Sequence, residues 1–277
     1  MGLRINTNVA SLAAQPSLGN TTNTLNDSLR KLSSGERVTR SGDDAAGLAI
    51  SENLKAQIRG LKQAGRNAGD AISLIQTAEG GLSEISNIII RLRELSVQAA
   101  SDTVGQTERG FSDIEFQQLK EELDRIARSS EFNGIKLLDG TSGLLEFQVG
   151  VRNDPVLDRL RYDGTFTDAT MATLGLSAET VSSKEAAQIS LKKLDDALVQ
   201  VNGVRANLGA IQNRLTSTVN TLGISDENLN AANSRIRDVD VAAETAELAR
   251  KNILIQAGTS VLSQANQFPS IALKLIG

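Results

Sequence analysis

Residues 194–236 read LDDALVQVNGVRANLGAIQNRLTSTVNTLGISDENLNAANSRI, and the spacing of this stretch decides the fold. Leu194, Val201, Leu208, Leu215, Leu222, Leu229 and Ile236 recur every seventh residue with no proline among them. Leu191, Leu198 and Val219 fill part of a companion row, diluted further on by Arg205, Gln212, Asp226 and Asn233. A seven-residue apolar repeat predicts a long helix with a coiled-coil-like seam, about 60 Å long at 1.5 Å per residue. Such a seam needs a partner. The sequence offers one in Leu54, Leu61, Ala68, Ile75, Leu82 and Ile89, flanked by Ile58 and Ile72. That row predicts a second long helix from about Asp44 to Ala100. Gly60, Gly65, Gly69, Gly80 and Gly81 weaken it locally, each by up to about 1 kcal/mol, while their small size permits close helix approach.

Between the two rows the period changes. Thr107 to Ser129 reads as a shorter helix, with Phe111, Ile114, Leu119, Leu123 and Ile126 at helical spacing. Phe132-Asn133-Gly134 and Asp139-Gly140 are turn signals. Strand-like segments run from Ile135 to Leu138 and from Leu144 to Val151. Arg152 to Ala178, rich in Asp, Gly and Thr, reads as hairpins and loops. The expected fold is therefore mainly α: a long antiparallel coiled-coil-like helical bundle with a small β-hairpin region and a pair of terminal helices.

The two ends differ from the middle in charge. Met1 to Leu29 carries only Arg4 and Asp27, and Asn252 to Gly277 only Lys274. Solvated tails are normally rich in charge. These ends instead mix aliphatic residues with Asn, Gln, Ser and Thr. Leu18, Thr22, Leu25, Leu29 and Leu32 follow a 4-3-4-3 spacing, and Val241, Leu248, Ile255 and Leu262 form a heptad row widened by Ile253, Leu254 and Val261. Pro16 is expected to kink or divide the first helix, and Pro269 to limit the last. A pair of helices apolar on several faces cannot cover itself. Each buried Leu or Ile is worth about 1.5–3 kcal/mol, so Leu18, Leu25, Leu29, Leu32, Val241, Leu248, Ile255 and Leu262 are the candidate assembly interface. Short segments of this kind fray in isolation, so the ends are expected to fold on assembly around a stable middle.

Composition narrows function. The 277 residues include no Cys, His or Trp, and the net charge is -4. That leaves no Ser-His-Asp triad, thiol nucleophile or ordinary zinc site, and no basic patch for nucleic acid. Asp43-Asp44 and Asp195-Asp196 resemble paired carboxylates, but nothing builds a pocket around them, and Asp43-Asp44 sits where a helix start favours acids. No catalytic, cofactor or metal site is expected. No stretch has the roughly 20 apolar residues of a membrane span. Met1 to Ala14 lacks a secretory signal, and Asn6 stands where a Gly2 myristoylation motif needs Ser or Thr. The sequons at Asn20 and Asn26 fall on a helix meant for burial.

Several motifs carry a resemblance to bacterial flagellin. Leu3-Arg4-Ile5-Asn6-Thr7-Asn8 resembles the family's start. Leu32-Ser33-Ser34-Gly35-Glu36-Arg37-Val38 and Asp43-Asp44-Ala45-Ala46-Gly47-Leu48-Ala49-Ile50 follow, then Arg93-Glu94-Leu95-Ser96-Val97-Gln98 and Phe132-Asn133-Gly134. Ser234-Arg235-Ile236, Gln256-Ala257-Gly258-Thr259-Ser260-Val261-Leu262 and Gln264-Ala265-Asn266-Gln267 complete the set. The match spans roughly residues 1–150 and 185–277. It departs from the pattern at Pro16, at Arg40-Ser41-Gly42, in the missing terminal Arg, and in a mid-chain region reduced to about Arg152–Ala178, which implies a short form without large outer domains.

The resemblance implies a helical homopolymer in an extracellular flagellum used for motility. Residues 1–43 and 237–277 would form the inner filament-core domain; residues 44–180 and 181–236 would form the outer helical domain with its hairpins. It implies other flagellin subunits, the flagellar export apparatus and a chaperone, and filament cap and junction proteins as partners, with no nucleic acid and no membrane insertion. Arg91, Leu95 and Glu115 fall where similar flagellins meet a host Toll-like receptor; packing between subunits is the favoured role of that surface. The alternatives are a hook-filament junction protein and, from another class, a helical signalling hairpin, which would lack the hairpin-rich middle.

Overall fold

A computed structural model describes residues 7–276, with side chains placed as far as Gln267. The opening Leu3-Arg4-Ile5-Asn6 motif and the Gly2 site lie outside the described residues. In chain order the elements are α1 (Val9–Ser34), α2 (Ala45–Ala99), α3 (Gln106–Ser129), β1 (Glu131–Phe132), β2 (Ile135–Lys136), β3 (Leu144–Gln148), β4 (Arg159–Asp163), a 3-10 turn (Gly164–Thr167), α4 (Lys184–Arg237) and α5 (Val241–Ile276). Both strand pairs are antiparallel hairpins, with Phe132 opposite Ile135 and Phe147 opposite Leu160. The tight β1–β2 turn uses Asn133 and Gly134 at positive φ, the conformation these residues tolerate best.

The chain forms two compact units, residues 57–227 and residues 1–56 with 228–277. The expected boundaries at 43/44 and 236/237 fall where one helix gives way to the next. The change in packing lies further inside the two long helices.

In the first of these units α2 and α4 run antiparallel. Arg93 meets Asp195 at 2.7 Å, Arg205 meets Glu79 at 2.8 Å, and Lys62 meets Asp226 at 3.9 Å. Ile75, Leu82, Ile85, Ile89 and Leu92 of α2 are fully buried, as are Leu194, Val201, Leu208 and Leu215 of α4. The companion row on α4 is small: Ser190 and Ala197 are buried, whereas Leu191 and Leu198 are half-buried on its flank. Small residues let two helices approach while the aliphatic row fills the space between them.

Helix α3 turns a different face inward than its spacing suggests. Phe116, Leu123 and Ala127 are buried, whereas Phe111 and Ile114 are 68% and 64% exposed. Two polar anchors fix this rotation. Lys120 donates to the carbonyls of Ser177 and Glu179 at 3.1 and 2.7 Å, and Asp113 accepts from Thr180 Oγ1 at 2.6 Å and Val181 N at 2.8 Å. These contacts aim residues 113, 116, 120, 123 and 127 at the interior and leave 111 and 114 outside.

Two glycines of α2, Gly60 and Gly81, make room for the hairpin region, whereas Gly65, Gly69 and Gly80 have open space beside them. A Cβ on Gly60 would stand 2.8 Å from Val151 Cγ1, and one on Gly81 would stand 2.7 Å from Leu138 Cδ1. Asn67 Nδ2 donates to the Gln148 carbonyl at 2.9 Å, tying the second hairpin to the same helix. Tyr162, the chain's one tyrosine, is buried beneath it and donates to the Leu137 carbonyl at 3.0 Å.

Candidate assembly surfaces

In the unit made of the chain ends, α1 and α5 pack antiparallel along one seam. Asn8 Nδ2 donates to the Ala265 carbonyl at 2.9 Å. Leu18 seats against Gly258, where a Cβ would stand 3.2 Å from Leu18 Cδ1. Lys251 Nζ donates to Ser28 Oγ at 2.7 Å. The residues on this line are the buried or half-buried ones: Ser11, Ala14, Leu18, Thr21, Leu25, Ser28 and Leu32 on α1. Facing them on α5 are Leu248, Lys251, Ile255, Gly258, Leu262 and Ala265. Both sets follow the alternating three- and four-residue steps of a coiled-coil seam.

Each helix thus carries one Leu/Ile row and one row of small or polar residues. The second row on α1 is Ala14-Thr21-Ser28, not the expected Thr22 and Leu29: Ser28 is 1% exposed and Leu29 48%. Of the eight candidate interface residues, Leu18, Leu25, Leu32, Leu248, Ile255 and Leu262 lie half-buried along this seam, whereas Leu29 and Val241 point to solvent. Val9, Leu12, Ile253, Leu254 and Val261 are also exposed. The seam residues and these exposed apolar residues are separate sets on one helix pair.

Neither proline ends its helix. Pro16 lies within a continuous α1, and α5 continues past Pro269 to Ile276. A proline in a helix removes the hydrogen bond to the carbonyl four residues back. For Pro269 that carbonyl belongs to Ala265, which is the one that accepts from Asn8 Nδ2. The Asn8 carboxamide oxygen meanwhile accepts from Ser11 N at 3.1 Å and caps α1. One side chain therefore starts the first helix and serves the carbonyl that the proline leaves without its helical donor.

The connection between α1 and α2 is held by charge. Gly35 closes α1 in the left-handed conformation, φ 73°, the usual helix stop. Arg37 N donates to the Arg237 carbonyl at 2.6 Å and Val239 N to the Gly35 carbonyl at 3.0 Å. The Arg237 guanidinium bridges Glu36 at 2.9 Å and Glu52. Asp43 accepts from the Thr39 hydroxyl at 2.8 Å, Thr39 N at 3.1 Å and Arg40 N at 3.2 Å. Hydrogen bonds, that from the Thr39 hydroxyl foremost, hold its carboxyl well below the usual carboxylate range. Asp44 caps α2 by accepting from Gly47 N at 2.8 Å. The Asp43-Asp44 pair thus organises a turn and a helix start, and its members are not turned toward a common ligand.

On the middle unit, Arg91 and Glu115 meet. Arg91 Nε donates to Glu115 Oε1 at 2.9 Å and Nη1 to Glu94 Oε2 at 3.0 Å. These bonds, that to Glu115 first, raise the Arg91 pKa further. Leu95 is not part of that surface: it is 2% exposed and belongs to the core. Its place in the apolar repeat with Ile85, Ile88 and Leu92 was the sequence signal for this. Among the described residues no group of His, Cys, Asp or Glu is arranged to hold a metal ion, and no helix is long and apolar enough to cross a membrane.

Comparison with known proteins places this architecture. Residues 5–143 match the model of the bacterial flagellin N-terminal helical region, and residues 191–276 that of the C-terminal helical region. A flagellin of Halalkalibacterium halodurans is 45% identical over 98% of this chain and 99% of its own length. A flagellar filament 33 kDa core protein of Treponema phagedenis is 42% identical over 98% of this chain and 99% of its own. The crystal structure of Bacillus cereus flagellin, 33% identical, superposes with a TM-score of 0.51 over 57% of this chain and 88% of that one. The near-equal lengths of the relatives fit a short form without a large outer domain. The chain belongs to the bacterial flagellin family and is a structural subunit of the flagellar filament.

Proposed function

We propose that the α1–α5 pair of each subunit closes against neighbouring pairs to form a continuous inner wall of the filament. The observation that carries this is the set of large apolar side chains left outside the seam: Val9, Leu12 and Leu29 on α1, and Ile253, Leu254 and Val261 on α5. Several large apolar side chains left exposed on one helix pair mark an interaction surface, and these ends carry almost no charge to oppose burial. The seam residues Leu18, Leu25, Leu32, Leu248, Ile255 and Leu262 act one step earlier, by joining the two helices that present them.

In this reading the subunit travels outward through the flagellar export apparatus with a chaperone, adds beneath a filament cap beyond junction proteins, and works outside the cell as a non-catalytic element. The Arg91–Glu115 surface packs between subunits, and a host Toll-like receptor meets it on released monomer.

The test is deletion. Removing residues 1–33 or 237–277 is expected to leave a soluble helical middle with nearly the full thermal transition and no capacity to polymerise. Long filaments from either truncated chain would overturn the proposal. A point change separates the two sets. Leu254→Asp should abolish filaments while the monomer's helicity is unchanged, because the charge meets apolar surface only on assembly. Ile255→Asp should also loosen the α1–α5 pair itself. A gain in helicity on polymerisation by the unmodified chain would show how much of the pair folds at that moment.

A further inference from the structure

We infer that Asn133-Gly134, at the tip of the β1–β2 hairpin, is a site of spontaneous modification. The Asn133 side chain cyclises onto the Gly134 nitrogen and reopens as an acid, so that each subunit records its own age. The reaction belongs to the single chain and needs no second subunit.

The chemistry uses only the chain and water. Gly134 N attacks Asn133 Cγ, the Cγ–Nδ2 bond breaks, and Nδ2 leaves as ammonia with the proton that Gly134 N gives up. The product is a cyclic imide. Water then opens either of its ring C–N bonds. One opening gives aspartate at position 133. The other gives isoaspartate, in which the main chain runs through Cβ and Cγ. Asparagine counts among the thermolabile residues, but its lability depends on where it sits.

Four positions set Asn or Asp before Gly: 133, 139, 163 and 202. The structure separates them. Asn202 and Gly203 are exposed, yet they lie in the interior of α4. There the backbone amide is committed to the helix, and ring closure would pull ψ of Asn202 out of the helical well. Asp139 and Asp163 are held by their own turns. Asp139 Oδ1 accepts from Thr141 N at 3.0 Å and Thr141 Oγ1 at 2.7 Å, and Asp163 Oδ1 from Thr165 N at 3.0 Å and Thr165 Oγ1 at 2.7 Å. Gly164 N is also engaged, with the Gly143 carbonyl at 2.7 Å. Asn133 has none of these restraints. It is exposed, and among the described residues its carboxamide makes no hydrogen bond. Gly134 N donates to no backbone carbonyl among them, and a Cβ on Gly134 would meet nothing within 4 Å.

The turn itself is poised for the ring. Asn133 and Gly134 stand at φ 50° and 79°, the pattern of a type I′ hairpin turn. A planar ring brings Gly134 N into line with Asn133 Cβ, which sets ψ of Asn133 near about −120°, the value at the first central position of a type II′ turn. Types I′ and II′ share a positive φ at that position and both close two-residue hairpins. Only the peptide between the two residues has to flip, and the strands stay paired while the ring forms.

Reopening is different. Both products place a negative charge at the tip, and isoaspartate adds one atom to the main chain of the turn. The pairing of Phe132 with Ile135 then loses its register. Phe132 packs on the core, and the strand beyond the turn leads to the Leu137 carbonyl, which accepts from the Tyr162 hydroxyl at 3.0 Å and Thr167 Oγ1 at 2.7 Å. A change at an exposed tip is thereby carried to the buried tyrosine.

The full chain is held folded in mildly alkaline buffer, and samples taken over time are cleaved and read by mass spectrometry with fragmentation that tells aspartate from isoaspartate. The peptide holding Asn133 is expected to convert faster than the one holding Asn202 by on the order of tenfold or more, because the latter waits on local opening of α4. In urea the two rates should become similar. Asn133 left intact in the folded chain, whether or not it converts in urea, would overturn the assignment. So would equal rates at Asn133 and Asn202 in the folded chain.

Asn133→Asp separates the added charge from the added atom. Asp-Gly suits the same turn, so this variant should keep the Tyr162 fluorescence and thermal melting of the unmodified chain. Chain enriched in isoaspartate by ageing should show altered Tyr162 fluorescence and a lower melting temperature. Aged chain that matches Asn133→Asp in both readouts, whether both are altered or neither, would refute the break in register.

Discussion

The terminal pair and the middle bundle start from the same seven-residue repeat and finish differently. In the middle, the rows of α2 and α4 are sealed: Leu82, Ile85, Ile89, Leu92, Leu194, Val201 and Leu208 are all buried, with α3 and the hairpins packed against the same core. In the terminal pair, two helices share one seam, and the Leu/Ile rows along it are only half-buried. A heptad repeat specifies that a seam exists. Whether the seam becomes a core depends on a third element to cover its flanks. The middle has that element within the chain; in the proposed filament the ends would find theirs in other subunits.

This contrast can be broken by truncating one leucine in each region. Leu92→Ala removes a fully buried side chain and should cost about 2–5 kcal/mol. Leu25→Ala, half-buried in the terminal seam, loses only part of its transfer energy, about 1 kcal/mol in the isolated subunit. Urea unfolding of the middle unit can be followed through Tyr162, because the chain has one tyrosine and no tryptophan. Helicity at 222 nm follows both regions. Equal losses from the two substitutions would mean that the terminal seam is already a core.

Asn8 offers a sharper cut within the terminal pair. Asn8→Ala removes both the α1 cap and the donor to the Ala265 carbonyl, a loss of about 1–2 kcal/mol. Asn8→Asp keeps an acceptor for Ser11 N and favours the helix start, but it cannot donate. Its expected cost is the smaller one. Thermal melting of the monomer, read as the low-temperature loss of helicity, should rank Asn8→Ala below Asn8→Asp and both below the unmodified chain. Melting of Asn8→Asp indistinguishable from the unmodified chain would show that the Ala265 carbonyl needs no partner from α1.

Much of this was legible in the sequence, and the exceptions have physical reasons. The Leu194-to-Leu215 and Ile75-to-Ile89 rows run straight into the observed core, because a long uninterrupted repeat leaves little freedom in which face turns inward. The companion rows were harder to see. Ser190, Ala197, Ser28 and Gly258 have no hydropathic signal, and they sit at seams because helices must approach closely there. The spacing of α3 rotates it wrongly because Phe111 and Ile114 have the hydropathy of core residues, whereas the anchors that set its rotation, Lys120 and Asp113, have that of surface residues. Proline as a helix stop failed at Pro269, where a side chain 261 positions earlier serves the orphaned carbonyl. No local rule reaches that far. Among candidate surface residues, Arg91 and Glu115 do meet in space, and Leu95 is held inside by its own repeat.

The smallest effect tests whether the hidden polar anchors belong to the middle unit as firmly as its leucines. Burial of the Asp113 carboxyl works against its ionisation, but donation from Thr180 Oγ1, Val181 N and Gln117 Nε2, with the nearby charge of Lys120, outweighs this and lowers its pKa. The unfolded chain binds the proton more readily, at about pH 3.9. The linkage therefore adds stability above that value, and the contribution is lost as pH falls through the lower folded pKa. Other carboxylates shift the same way, Asp168 and Asp154 among them, so the measurement is a difference. Unfolding free energies followed at Tyr162 for the unmodified chain and Asp113→Asn should lie furthest apart above about pH 4 and converge as the pH drops below it. Because Asp113 fixes the rotation of α3, the same variant should also disturb the exposed Phe111 and Ile114 face more than it disturbs Leu92. Parallel curves across that range would mean that the carboxylate's charge contributes nothing to holding α3, and that apolar burial alone sets its rotation.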